Sequence, residues 1–217
     1  MAALRMSVVS VCASVLAVLA PVVWSAEAPA VAAKAGPPVV SVERLNIAEI
    51  KSPDFQIKSF PTAKFTDNWL QVMAEFKVEA GDQKWLDELT FDWYVLLLNG
   101  QTPRLLLSRS ITYTDIEVGQ VEHSMVYVNP RTLRRYYSER GRSVSERNVL
   151  VYLSVKMKNV KVGEFIFPKN PVTSVPTRWW ENPQVNRVDN GLLGREQTPF
   201  APLDDDFYPP VRNTDGR

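Results

Sequence analysis

The segment LTFDWYVLLLNGQTPRLLLSRSITYTDI, residues 89–116, places two long runs of β-forming residues on either side of Asn99-Gly100. Asn-Gly tolerates the positive φ angles of a tight turn, so the spacing predicts two antiparallel strands joined there. In the first run Leu89, Phe91, Trp93, Val95 and Leu97 alternate onto one face, which makes Trp93 a core tryptophan. Val95 to Leu98, however, is continuously apolar. A strand without a polar face must be covered on both sides or sit at a sheet centre.

Working outward, Leu70, Val72, Ala74, Phe76 and Val78 alternate with polar neighbours as a half-buried strand, and Gly81-Asp82 ends it. Residues 39–50 alternate with one phase slip, the pattern of an edge strand with a bulge. VEHSMVYV (121–128), NVLVYLSVKM (148–157) and KVGEFIF (161–167) supply three more strands. Between them, Asn129 can cap a helix, Pro130 suits its first position and Gly141 its exit, predicting a short helix of about three turns. Roughly seven strands spaced by turns, with one helix, indicate an all-β fold: an immunoglobulin-like two-sheet sandwich, with a closed barrel as the alternative.

The ends have a different texture. Residues 1–25, with Arg5 ahead of an apolar run and then small residues, have the layout of a secretory signal peptide, and 26–38 form an Ala/Pro linker. The sandwich is expected over 39–168 and an extended proline- and aromatic-rich tail over 169–217. Eight of the 16 prolines fall in the last 50 residues, so the tail lacks the period of either a helix or a strand. Within it Trp179-Trp180 would be a liability if left bare, and at least one indole is expected to lie against the sandwich. Cys12, the only cysteine, lies in the leader, so no disulfide staples the exported chain. Export without cysteines points to the periplasm or cell surface of a Gram-negative-type bacterium.

The composition is poor in catalytic chemistry. Lys plus Arg at 25 against Asp plus Glu at 24 leaves no basic excess for nucleic acid. The one histidine, His123, sits in an alternating strand and reads as a packed residue; no GxSxG elbow accompanies it. No cofactor is expected, and no metal, since His and Cys ligands are not clustered; Asp204, Asp205 and Asp206 lack the spacing of a calcium loop. The most polarised stretch is RTLRRYYSERGR, where Arg131, Arg134, Arg135, Arg140 and Arg142 face only Glu139. Arg131, Arg134, Arg135 and Tyr137, together with Trp179 and Trp180, are therefore the candidate partner-binding residues. An envelope protein or an anionic lipid surface is the kind of partner they fit. A carbohydrate-binding module is the alternative, with Trp69, Trp85 and Tyr113 as candidates for an aromatic row, and an enzyme of unrecognised class is the second alternative.

In the order of its leader, its Ala/Pro linker, FTDNWLQVMAEFKV (65–78), LTFDWYVLLLNG (89–100), NPRTLRRYY (129–137) and PVTSVPTRWWENP (171–183), the chain resembles the immunoglobulin-like secreted proteins encoded beside type IV pilus components in Akkermansia-type Verrucomicrobia. The resemblance implies an envelope location and a non-enzymatic role in pilus biogenesis or at the cell surface. It carries over no functional residue.

Overall fold

The computed structural model describes residues 37–53, 68–99, 102–136, 144–169, 175–189, 191–203 and 207–212. The expected leader (1–25), most of the linker and Gly100 of the hairpin turn lie outside them. The described elements are β1 (Val39–Lys51), β2 (Asn68–Glu79), β3 (Trp85–Asn99), β4 (Thr102–Glu117), β5 (Val121–Val128), α1 (Pro130–Tyr136), β6 (Val149–Met157), β7 (Val160–Phe167) and β8 (Arg187–Asp189). They form two sheets, in the orders β1-β2-β5 and β7-β6-β3-β4-β8. All ladders are antiparallel except β4 with β8. The sheets face each other as a sandwich and do not join into a barrel.

The core lies between them because both sheets turn their alternating apolar residues inward. Leu70, Val72, Ala74, Phe76 and Val78 of β2 are fully buried against Leu89, Phe91, Trp93, Val95 and Leu97 of β3. Phe76 and Phe91 bring their ring centroids within 4.7 Å across the gap. The Trp93 indole N–H donates to Ser124 Oγ of β5 at 3.1 Å, a buried bond from one sheet to the other. The phase slip in β1 is a bulge between Val42 and Arg44, which returns Leu45 and Ile47 to the core side. In the β6–β7 turn Lys158 and Asn159 have φ of 48° and 66°, the two positive values that a tight hairpin requires. Farther along β7 a Cβ on Gly163 would stand 2.6 Å from the Val40 carbonyl oxygen, so glycine lets β7 press against β1.

Asn129 caps α1, its Oδ1 accepting from the Thr132 amide at 2.7 Å, and Leu133 is the buried anchor. The described helix has seven residues, about two turns, rather than the three expected; its expected exit at Gly141 lies outside the described residues.

The tail is part of the domain. Leu96, Leu98, Leu106, Leu150 and Tyr152 form an apolar patch on the outer face of the second sheet, and Val175, Trp179 and Val185 cover it. That second cover explains the unbroken run Val95–Leu98. The tail then satisfies both free edges on one side of the sandwich. β8 pairs in parallel with Leu106–Ser108 of β4. Leu193 and Tyr127 of β5 exchange two backbone hydrogen bonds of 2.8 Å, while Leu192 beside them is fully buried in the main core. Farther on, Thr114 N donates to Pro210 O and Arg212 N donates to Thr112 O, each at 2.8 Å. Phe200 stacks on Tyr127 at 5.1 Å and meets Trp69 edge-on at 5.7 Å, covering the outer face of the first sheet.

Trp93→Ala should destabilise the fold by about 3–5 kcal/mol, the cost of emptying a large aromatic site. Ser124→Ala should cost about 1–3 kcal/mol, because it strands the buried indole N–H. Urea unfolding followed by circular dichroism measures both; an unchanged midpoint for either would contradict this packing.

Candidate functional site

At the end of the sandwich where β3 meets β4 and β5 enters α1, the helix turns Leu133 inward and leaves Arg131, Arg134 and Arg135 exposed. The Arg135 guanidinium lies 5.0 Å from the centroid of the Tyr136 ring, a spacing that supports cation–π attraction. Tyr136 in turn lines a groove of about 600 Å³ with Pro103, Pro176, Asn182, Gln184 and Asn186. Among the described residues its walls carry carboxamides, prolines, Val185 and a phenol. The basic turn and the tryptophan-bearing tail, about 45 residues apart in sequence, are thus neighbours around one groove.

The two tryptophans have different fates. Trp179 is 1% exposed and packs edge-on to Trp180 at 5.5 Å. Its apolar area is consumed by its own domain, which corrects its assignment as a partner-facing residue. Trp180 lies flat on Tyr152, 3.8 Å between centroids and 9° between planes, and is half-buried, with the rest of its surface open. Tyr137 lies outside the described residues.

The expected aromatic row does not form. Trp69 is on the outer face of the first sheet, its indole N–H donating to Ser52 Oγ at 2.8 Å, and is covered by Phe200. Tyr113 faces the core of the second sheet and is 3% exposed. Its hydroxyl accepts from the Met125 amide at 3.3 Å and bonds the Ser124 side chain, and burial pushes its pKa up to about 12. Trp85 alone of the three is open, at 59% exposure.

His123 is buried and stacked on Phe207, 4.0 Å between centroids. Burial pushes its pKa down, with the Glu75 carboxylate and a backbone bond to Phe207 working in the other direction. It serves as packing for the tail. Among the described residues no three His, Cys, Asp or Glu side chains converge on a metal position, and Asp204–Asp206 lie outside them.

A protein-family model matches residues 31–215. The chain belongs to that family. The match continues through the tail, in keeping with a tail that hydrogen-bonds into both sheets. Three solved chains are similar to this one. One is a crystal structure of a protein from Akkermansia muciniphila, with a TM-score of 0.66 at 24% identity, covering 82% of this chain and 96% of that one. The likeness is one of fold. No curated protein matches the chain.

Trp179→Ala should loosen the tail before the sandwich. Limited proteolysis should then cut beyond Phe167 faster than in the wild type, while wild-type protection in the variant would contradict the docked tail. For His123 the pKa is lower folded than unfolded, so the unfolded chain binds the proton first as pH falls. Its contribution is fully present above the unfolded value near ~6.5 and is lost on acidification below it. The melting-temperature advantage of wild type over His123→Gln should therefore shrink between about pH 7 and about pH 5.

Proposed function

We propose that the chain is a non-enzymatic binding or assembly module exported to the envelope of a Gram-negative-type bacterium, with type IV pilus biogenesis as its setting. The observation that carries the reading is the exposed arginine turn next to the carboxamide-lined groove, with Arg135 over the ring of the Tyr136 that lines it. An arginine turn beside a carboxamide-lined groove suits an acidic, extended segment of a partner protein: the charges steer the encounter, and the amides can meet its backbone. The strand order supports the same class. β1, β2 and β5 against β7, β6, β3 and β4 correspond to strands A, B, E against G, F, C, C′ of immunoglobulin-like modules, which recur in cell-surface proteins. Fold alone does not assign a function, so the reading rests on the groove.

The test is capture from envelope extracts by the immobilised chain lacking residues 1–25, compared with the variant Arg131→Ser/Arg134→Ser/Arg135→Ser. The variant should melt as the wild type does, since these side chains are exposed. It should lose most of its captured envelope protein, with the wild type losing it in turn as salt is raised. Equal capture by variant and wild type at low salt would remove the arginine turn from the interface. Capture by anionic vesicles but by no protein would reassign it to a lipid surface.

A further inference from the structure

We infer that the opposite end of the sandwich carries a binding site for neutral carbohydrate, built on the exposed ring of Trp85. The alternation of β3 makes the position of this ring unusual. Odd-numbered residues from Leu89 to Leu97 face the core, and continuing that alternation would bury Trp85 and Asp87. Instead Leu86 is buried, and Trp85 and Asp87 are exposed, so the strand changes face between Leu86 and Leu89. β4 changes face at the same level. Ile111 and Tyr113 point inward, and the next inward residue is Ile116, across from Leu86. The irregularity passes through Asp115, whose φ is 52° in a region that costs an L-residue free energy. Paired slips of this kind re-aim side chains at sheet ends. Here they turn a tryptophan outward that unbroken strands would have buried.

The backbone under the ring is tied down. Val118 N donates to Lys84 O and Gly119 N donates to Val78 O, each at 2.9 Å, and Gln83 N closes the preceding turn on Ala80 O. The ring is therefore presented by a pinned backbone, which reduces the ordering required on binding. Beside it is a cleft of about 260 Å³, lined by Pro37, Pro38, Gln83, Trp85, Asp87 and Lys158 among others. The side chains of Gln83, Asp87 and Lys158 make no hydrogen bond or ion pair with the described residues.

The chemistry of this cleft selects its occupant. An indole face offers a flat apolar surface of negative potential, suited to a face of C–H groups. The rim offers the Gln83 amide, the Lys158 ammonium group and the carboxylates of Asp87 and Glu88, the latter paired with Arg212, hence both donors and acceptors beside the ring. A pyranose has both parts: C–H bonds on one face and hydroxyls around its edge. Glu117, the register partner of Trp85, adds a further carboxylate at this end of the sheet, so the rim disfavours carboxylated and sulfated sugars. The site is independent of the arginine turn, which lies at the other end of β5.

Isothermal titration of the chain lacking residues 1–25 against cellotetraose, chitotetraose and β-1,4-galactotetraose, with tetragalacturonate as the acidic control, tests the assignment. At least one neutral tetramer should bind with a dissociation constant on the order of 1 mM, as suits one shallow platform, and tetragalacturonate should not bind. Trp85→Ala should weaken that binding at least about tenfold, Trp85→Tyr should keep part of it, and the triple arginine variant should leave it unchanged. Because the ring is largely exposed, both Trp85 variants should melt close to the wild type. Failure of all three neutral tetramers, equal binding by Trp85→Ala, or equal affinity for tetragalacturonate would overturn the proposal. So would a concentration-dependent dimer abolished by Trp85→Ala, which would assign the ring to self-association.

Discussion

The second sheet has two apolar faces where β3, β4 and β6 run side by side, and the rest of the structure answers that constraint. Leu97, Leu105 and Val151 belong to the main core, while Leu96, Leu98, Leu106 and Leu150 point the other way. A two-layer sandwich can cover only the first set. Left open, the second would be a patch of the kind that drives association, and the chain covers it with its own residues, Trp179 above all. The polar half of the same outer face needs no such cover: Thr90 bonds Thr112 at 2.9 Å, and Asp92 pairs with Lys156 at 2.6 Å. There the tail contributes polar contacts instead of an apolar cover, with Arg212 paired to Glu88.

Covering the patch also solves a second problem. On leaving it, the tail passes the side of the sandwich where β4 and β5 would present unpaired amides and carbonyls, and it hydrogen-bonds to both. The opposite side is blunted differently, by the bulge of β1 and by the close contact of β7 with β1 at Gly163. Inside, where an immunoglobulin domain of antibody type carries a disulfide, this core carries a polar seam: the Trp93 indole, the Ser124 hydroxyl and the Tyr113 phenol link the two sheets. Each group is satisfied by the next, which is the condition for a buried polar network to add specificity to an apolar core.

The sandwich has two unlike ends. One gathers the arginine turn and a carboxamide-lined groove, features suited to a protein segment. The other holds one outward tryptophan among mixed charges, features suited to a hydroxyl-rich ligand. The β-framework between them keeps the two ends apart.

Local pattern was enough for much of this. Strand alternation placed the inward faces of β2, β3 and β6, the slip in β1 marked its bulge, and Asn129-Pro130 marked the start of α1, because each depends on residues within a few positions of one another. The unbroken run Val95–Leu98 announced a second cover without saying what it was. Local pattern did not reveal that Trp179 would be that cover, that Phe200 would bury Trp69, or that Trp180 would lie on Tyr152, since these contacts join residues from 27 to over a hundred positions apart. Trp85 marks the limit most sharply. Its sequence neighbours place it on the core face, and only the paired slip through Asp115 on the adjacent strand turns it to solvent. Periodicity determines which residues share a face; where a strand changes face is decided by its partner across the sheet, and that partner is chosen by the tertiary fold.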